Sequence, residues 1–180
     1  PDEVENEIEA YIDNQCAGLK LATGDDVGRV TCRTDGIKDY TDHLYESING
    51  DLSGLNICID CANGASAAAA RQLFPRLGAK CTFIGVEPDG KNINAGVGST
   101  HLDNLEKAVV EGGFDCGIAF DGDADRCLAC DEKGQEIDGD KIIALLAMNM
   151  KEKGCLDGNT AVVTVMSNLG FIKFMESQGI

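Results

Sequence analysis

Tryptophan is absent and aromatic residues make up only 5% of the chain, so any core must be built mainly from aliphatic side chains. Positive charge is also scarce: 15 Lys and Arg against 31 Asp and Glu leave a net charge of −16. Such a surface repels phosphodiester backbones and anionic lipid, which argues against nucleic acid and membrane as partners. No apolar run approaches the ~20 residues that a membrane span needs. The chain opens Pro1-Asp2-Glu3, with neither Met nor a signal-like apolar segment. With nine cysteines, an odd number, and no secretory signal, a reduced cytoplasmic setting is expected rather than a disulfide framework.

What is present is a soluble composition and 180 residues, enough for one large domain or one domain with pieces of others. The latter is expected, the whole being a piece excised from a longer protein. Two Cys-x-x-Cys pairs, Cys58/Cys61 and Cys127/Cys130, invite a zinc or redox reading. Cys58 and the whole second pair fall in strand-like runs, where positions i and i+3 face opposite sides. The thiols then cannot share a metal, and all four read as small buried hydrophobes.

The densest chemistry lies in Gly117-Ile118-Ala119-Phe120-Asp121-Gly122-Asp123-Ala124-Asp125-Arg126. A short apolar strand runs into three aspartates at alternate positions, whose side chains point the same way in an extended chain. Gly122 lets the backbone curl so that the carboxylates converge. Three anions held together repel one another unless a cation sits between them. Oxygen donors alone favour a hard ion such as Mg²⁺ or Ca²⁺. Arg126 adds a rigid fork of donors suited to phosphate. Two rivals stand beside this reading. One is a solvated turn in which the aspartates bond nearby backbone. The other is a calcium loop, since Asp121, Asp123, Asp125 and Glu132 fall at positions one, three, five and twelve of the EF-hand template. Arg126 occupies the position where that template needs Gly, and the flanks look like strands rather than helices.

Along the chain, residues 2–13 and 36–48 have helical periodicity, the second helix being closed by Asn49-Gly50 and carrying His43 on a polar face. From Leu55 onward strands alternate with helices: strands at 55–60, 80–86, 115–120 and 127–130, helices through Leu77, at 102–111 and at 141–151, and a short return strand near 135–137. A further strand, Ala161–Val165, and a helix, Leu169–Ser177, begin another unit. The expected class is layered α/β with a mixed, mostly parallel sheet and helices on its faces. The boundaries expected are residues 1–50 as the end of a first domain with a linker, 51–156 as a complete domain carrying the aspartate loop, and 157–180 as the start of a third. Two glycine-rich turns could cradle phosphate. Asn63-Gly64-Ala65-Ser66 fits no nucleotide motif and reads as a tight turn. Gly96-Val97-Gly98-Ser99-Thr100-His101 lies in a long loop, where Ser99 or Thr100 is expected to cap the next helix.

These residues resemble the α-D-phosphohexomutase family. Gly117 to Arg126 is similar to that family's metal-binding loop. Asp60-Cys61-Ala62-Asn63-Gly64-Ala65, Asn92-Ile93-Asn94 with Gly98-Ser99-Thr100-His101, and Asp138-Gly139-Asp140-Lys141 match further stretches, nearest to the branch acting on glucosamine phosphates. One departure from that branch is Gly96-Val97-Gly98, where a Cys often precedes Gly-Ser-Thr-His. The resemblance implies a four-domain cytoplasmic enzyme of amino-sugar and cell-wall precursor synthesis. It interconverts a hexosamine 6-phosphate and 1-phosphate through a phosphoserine and a sugar bisphosphate. It implies Mg²⁺ held by Asp121, Asp123 and Asp125, and phosphate contacted by Arg126. The serine loop and the sugar-recognition loop are not found in this sequence, so no catalytic residue is assigned and the chain alone is expected to be inactive. The partners implied are a phosphorylated hexosamine and the remaining domains of the parent chain. A stand-alone metal-binding module and an aspartyl phosphatase remain as alternatives.

Overall fold

The structure, a computed structural model, describes residues 1–48 and 50–180, so the expected helix stop at Asn49 lies outside the described residues. It falls into two units, Pro1–Thr34 and Asp35–Ile180. The first carries one amphipathic helix, α1 (Asp2–Asp13), with Asp2, Glu3 and Glu5 in its first turn, where acidic side chains favour the helix dipole. None of its residues is buried.

The second unit opens with α2 (Gly36–Ser47) and proceeds through β1 (Asn56–Asp60), α3 (Ser66–Arg76), β2 (Lys80–Ile84), α4 (Asp103–Gly112), β3 (Cys116–Phe120), β4 (Cys127–Asp131), β5 (Glu136–Ile137), α5 (Gly139–Glu152) and α6 (Leu169–Ser177). Among the described residues the five strands form one sheet in the order β2-β1-β3-β4-β5. β1 pairs in parallel with both β2 and β3, and the pairings β3–β4 and β4–β5 are antiparallel. Four strands therefore run one way and β4 alone runs against them, which is the mostly parallel sheet that the alternation of elements predicts.

The two faces of β1 explain the layers. Ile57, Ile59 and Cys61 pack with Ala70 and Phe74 of α3, whereas Cys58 packs with Leu105 and Val109 of α4. Alternate residues of one strand thus feed two cores, so every position in β1 but the first is buried. Large aromatics are not needed because α4 comes down directly on a glycine: a Cβ at Gly117 would lie 2.8 Å from both Leu105 Cγ and Val109 Cγ2. Cys58 and Cys61 point into opposite cores, and Cys130 is buried while Cys127 is exposed. Burial raises the Cys58 and Cys130 thiols to about 11, so both stay protonated hydrophobes at neutral pH.

α5 and α6 make a separate core, in which Ala147 meets Phe171 and Met175. The alternation at 161–165 predicts a strand there, but the segment joins no ladder. Ala161 and Val163 turn toward the α5–α6 core and Val162 between them is open, but Val165, which alternation would turn inward, is fully open as well, so the pattern stops at 163 and the backbone has no strand partner. Among the described residues no helix is long and apolar enough to cross a membrane.

Candidate metal centre

β3 is the middle strand of the sheet, and Asp121 follows its last residue. This is the carboxyl end of the parallel strands, where ligands of open α/β sheets bind. The loop then closes on itself. The Asp121 amide donates to the Arg126 carbonyl (3.3 Å), the Ala124 amide to the Asp121 carbonyl (3.1 Å), and the Arg126 amide to Asp121 Oδ1 (3.1 Å). The hairpin that results is flanked by strands, not helices. β4 carries Glu132 to the far end of the hairpin, roughly 17 Å or more from the loop at the ordinary rise per residue. That geometry removes the calcium-loop alternative.

The curl is made differently from the expectation. The left-handed residue is Ala124, at φ 62°, and Gly122 has no positive φ. Gly122 is small for another reason: a Cβ there would sit 2.5 Å from Ile93 Cδ1 and 2.9 Å from Asn94 Nδ2. With the loop so folded, Asp121, Asp123 and Asp125 each place one carboxylate oxygen within 4.8 Å of the other two. An ion with metal–oxygen bonds of about 2.1–2.4 Å spans about 4.2–4.8 Å between opposite ligands, so this donor set fits one hard cation.

The three carboxylates are not equivalent. Asp121 is 1% exposed, whereas Asp123 and Asp125 lie open to solvent. Burial by itself would raise the Asp121 carboxyl. The hydrogen bonds from the Arg126 amide and side chain, with the guanidinium charge, outweigh it and hold the group down at about 2. Asp125 is pushed the other way by the charges of Asp123 and then Asp121. Arg126 Nε lies 2.7 Å from Asp121 Oδ2 and 3.6 Å from Asp125 Oδ1. The resemblance implies that Arg126 contacts phosphate; here one edge of its guanidinium is held by the loop, because the nearest cation answers the crowded carboxylates. Its side chain is still 63% exposed, so the group remains open to a ligand from solvent.

The other matched stretches have structural duties. Asp138 caps α5 by accepting from the Lys141 amide (2.9 Å), and Asp140 Oδ2 accepts from the Asn168 amide at the start of α6 (2.8 Å). α4 has no side-chain cap, so the capping role expected of Ser99 or Thr100 is not seen. Instead the Ser99 amide donates to the Phe120 carbonyl at the end of β3 (2.9 Å). His43 and His101 are both exposed. One residue of the matched stretches receives no role from sequence reasoning. Asp60, at the end of β1, is fully buried and accepts from the amides of Ala62 (2.9 Å) and Gly98 (2.8 Å). A lone aspartate after a strand looks like any turn residue; only its place beside an apolar run hints at burial.

Residues 38–134 match the family model described as phosphoglucomutase/phosphomannomutase, alpha/beta/alpha domain II, and residues 138–180 match domain III of the same family. The phosphoglucosamine mutase of Clostridium tetani is 51% identical over 180 residues, covering 100% of this chain and 40% of its own length. That of Thermobifida fusca is 52% identical over 179 residues, with 99% and 39% covered. The chain therefore spans about 40% of the length of the curated relatives it matches. A phosphoglucomutase/phosphomannomutase family protein from Burkholderia thailandensis shares the fold, with a TM-score of 0.62 at 22% identity over 86% of this chain and 32% of that one.

Proposed function

The chain belongs to the phosphoglucomutase/phosphomannomutase family, and from that premise we propose that it is the metal-loop region of a phosphoglucosamine mutase. The parent would be a cytoplasmic isomerase of amino-sugar metabolism that interconverts glucosamine 6-phosphate and glucosamine 1-phosphate through a phosphoserine and a sugar bisphosphate. The observation that carries the reading is the convergence of Asp121, Asp123 and Asp125 at the carboxyl end of the central strand, in a chain half identical to proteins of that name. The same-family alternative is a phosphoglucomutase or phosphomannomutase, which differs in the sugar accepted.

In this reading Asp121, Asp123 and Asp125 hold Mg²⁺, and the ion supplies charge neutralisation to a phosphoryl group that passes between oxygens. Asp121 supplies the buried, fully ionised donor, since its carboxyl stays charged far below neutral pH. Asp123 and Asp125, both exposed, would supply the remaining carboxylate oxygens. Arg126, its Nε on Asp121, would offer the exposed part of its guanidinium to the phosphate. The nucleophilic serine and the sugar-recognition loop would come from other parts of the parent.

We also propose a division of the chain. Residues 1–50 would end a first domain with its linker, and the sheet would form the second. Residues 51–156 would make up that second domain and residues 157–180 would begin the third; the two family spans, 38–134 and 138–180, support a second and a third domain in that order.

A coupled assay with glucosamine 6-phosphate, sugar bisphosphate and Mg²⁺ tests the activity. The longer parent chain should turn over, and Asp123→Ala in it should abolish conversion; undiminished conversion counts against the reading. The 180-residue chain by itself should not turn over. Hydrolysis of a generic phosphate ester by this chain, lost in Asp121→Ala, would favour an aspartyl phosphatase instead.

A further inference from the structure

We infer that Asp60 is a positioning residue for the metal loop, anchoring the two backbone clamps that fix Asp121 from either side; this rests on the metal reading above. Its two carboxylate oxygens reach two different loops. Oδ1 accepts from Ala62 in the turn after β1, and Oδ2 accepts from Gly98, 38 residues on, in the long loop before α4. Each loop in turn holds one neighbour of Asp121. The Ser99 amide, next to Gly98, donates to the carbonyl of Phe120 (2.9 Å). The Ala65 amide, three residues after Ala62, donates to the carbonyl of Gly122 (2.8 Å). The carbonyls immediately before and after Asp121 are thus both held by loops tied to Asp60.

The contacts leave no slack. A Cβ at Gly64 would fall 2.2 Å from the Gly122 oxygen, and one at Gly98 would fall 2.6 Å from the Phe120 oxygen. Gly85 closes the seat from the third side, where a Cβ would come within 2.4 Å of Asp60 Oδ1. The turn between Asp60 and Gly64 is also held in an unfavourable conformation, with both Ala62 and Asn63 left-handed at φ 54° and 52°. Non-glycine residues keep such angles only where their surroundings impose them. A buried carboxylate that accepts two amides meets that need, because releasing either amide would leave a donor unpaired in a dry place. If these clamps set the direction of the Asp121 carboxylate, loosening them spreads the donor set and weakens the cation site, as changes behind a metal's ligands commonly do.

The test is calorimetric titration of Mg²⁺ into wild type, Asp60→Asn and Gly98→Ala, each checked by circular dichroism and thermal melting. Asn keeps the shape of Asp60 but turns one acceptor into a donor that faces an amide. Gly98→Ala pushes on the Phe120 carbonyl with no change of charge. Both should weaken Mg²⁺ binding by about tenfold at temperatures where the variants are folded. A purely structural Asp60 would lower the melting temperature and leave the affinity of the folded protein as in wild type, which overturns the inference. A measurement on wild type stands apart from any folding defect. Coupling is reciprocal, so Mg²⁺ should slow hydrogen exchange at the Gly98 and Ala62 amides; unchanged exchange at saturating Mg²⁺ overturns the inference as well. Wild type that takes up no Mg²⁺ overturns the metal reading itself and the inference with it.

Discussion

The loops that leave β1 and β3 stand side by side at one end of the sheet, and each begins with a buried aspartate. Asp60 is satisfied by two backbone amides alone, both from rigid turns. Asp121 takes one amide and a guanidinium whose side chain is 63% exposed. An aspartate fully buried with an amide on each oxygen is closed to solvent and serves as a strut. An aspartate whose counter-charge reaches in from solvent, with two open carboxylates beside it, can exchange one cation for another. Two buried aspartates near the carboxyl ends of adjacent strands, Asp60 in register with Ala119 and Asp121 two residues further on, thus have different surroundings: one is closed in by backbone, the other faces a cluster of carboxylates that could hold a cation.

That contrast can be broken most severely at Asp60. Asp60→Ala leaves two buried amides without acceptors, at about 1–3 kcal/mol each, so a loss of about 2–6 kcal/mol in urea unfolding is expected. A loss under about 0.5 kcal/mol, typical of a surface change, would put Asp60 on the same footing as the exposed aspartates.

A smaller effect is expected at Asp121, and acid should reveal it. Its carboxyl lies at about 2 against an ordinary 3.8. The depressed value means that its pairing with Arg126 contributes stability in full above about pH 4, and that the contribution disappears as the pH falls toward about 2. Asp121→Asn should melt below wild type at neutral pH, with the gap closing over that acid range. A gap that stays constant with pH would mean that the pairing in the loop is not what holds Asp121.

The smallest effect has the opposite sign. Asp125 is exposed and disfavoured as an anion by Asp123 and Asp121, so Asp125→Asn should raise the melting temperature of the apo protein slightly. The gain should fade on acidification as the wild-type carboxyl takes up its own proton. Repulsion alone expects all three aspartates to behave like Asp125; the Arg126 pairing sets Asp121 apart. If all three substitutions firm the apo fold, the pairing is negligible.

How legible this was varied with how local the cause was. Strand and helix positions follow from apolar periodicity, and the convergence of Asp121, Asp123 and Asp125 from carboxylates at period two, both properties of adjacent residues. Asp60 was not legible, because its burial depends on Gly85 and Gly98 arriving from distant loops. The role of Gly122 was misread for the same reason: it makes room for Ile93 and Asn94, and Ala124 makes the turn. The segment 161–165 has the pattern of a strand, but a ladder needs a neighbour, which no pattern within one segment supplies.

The most direct test of the account is whether Asp121, Asp123 and Asp125 bind one divalent cation together. Calorimetric titration of Mg²⁺ and Mn²⁺ into wild type, the three Asp→Asn variants and Arg126→Ala decides it. One site per chain is expected, with affinity reduced roughly tenfold or more in each aspartate variant and unchanged or increased in Arg126→Ala, which removes a competing positive charge. Three aspartate variants that bind metal as wild type does would reduce the loop to a solvated turn and contradict the account.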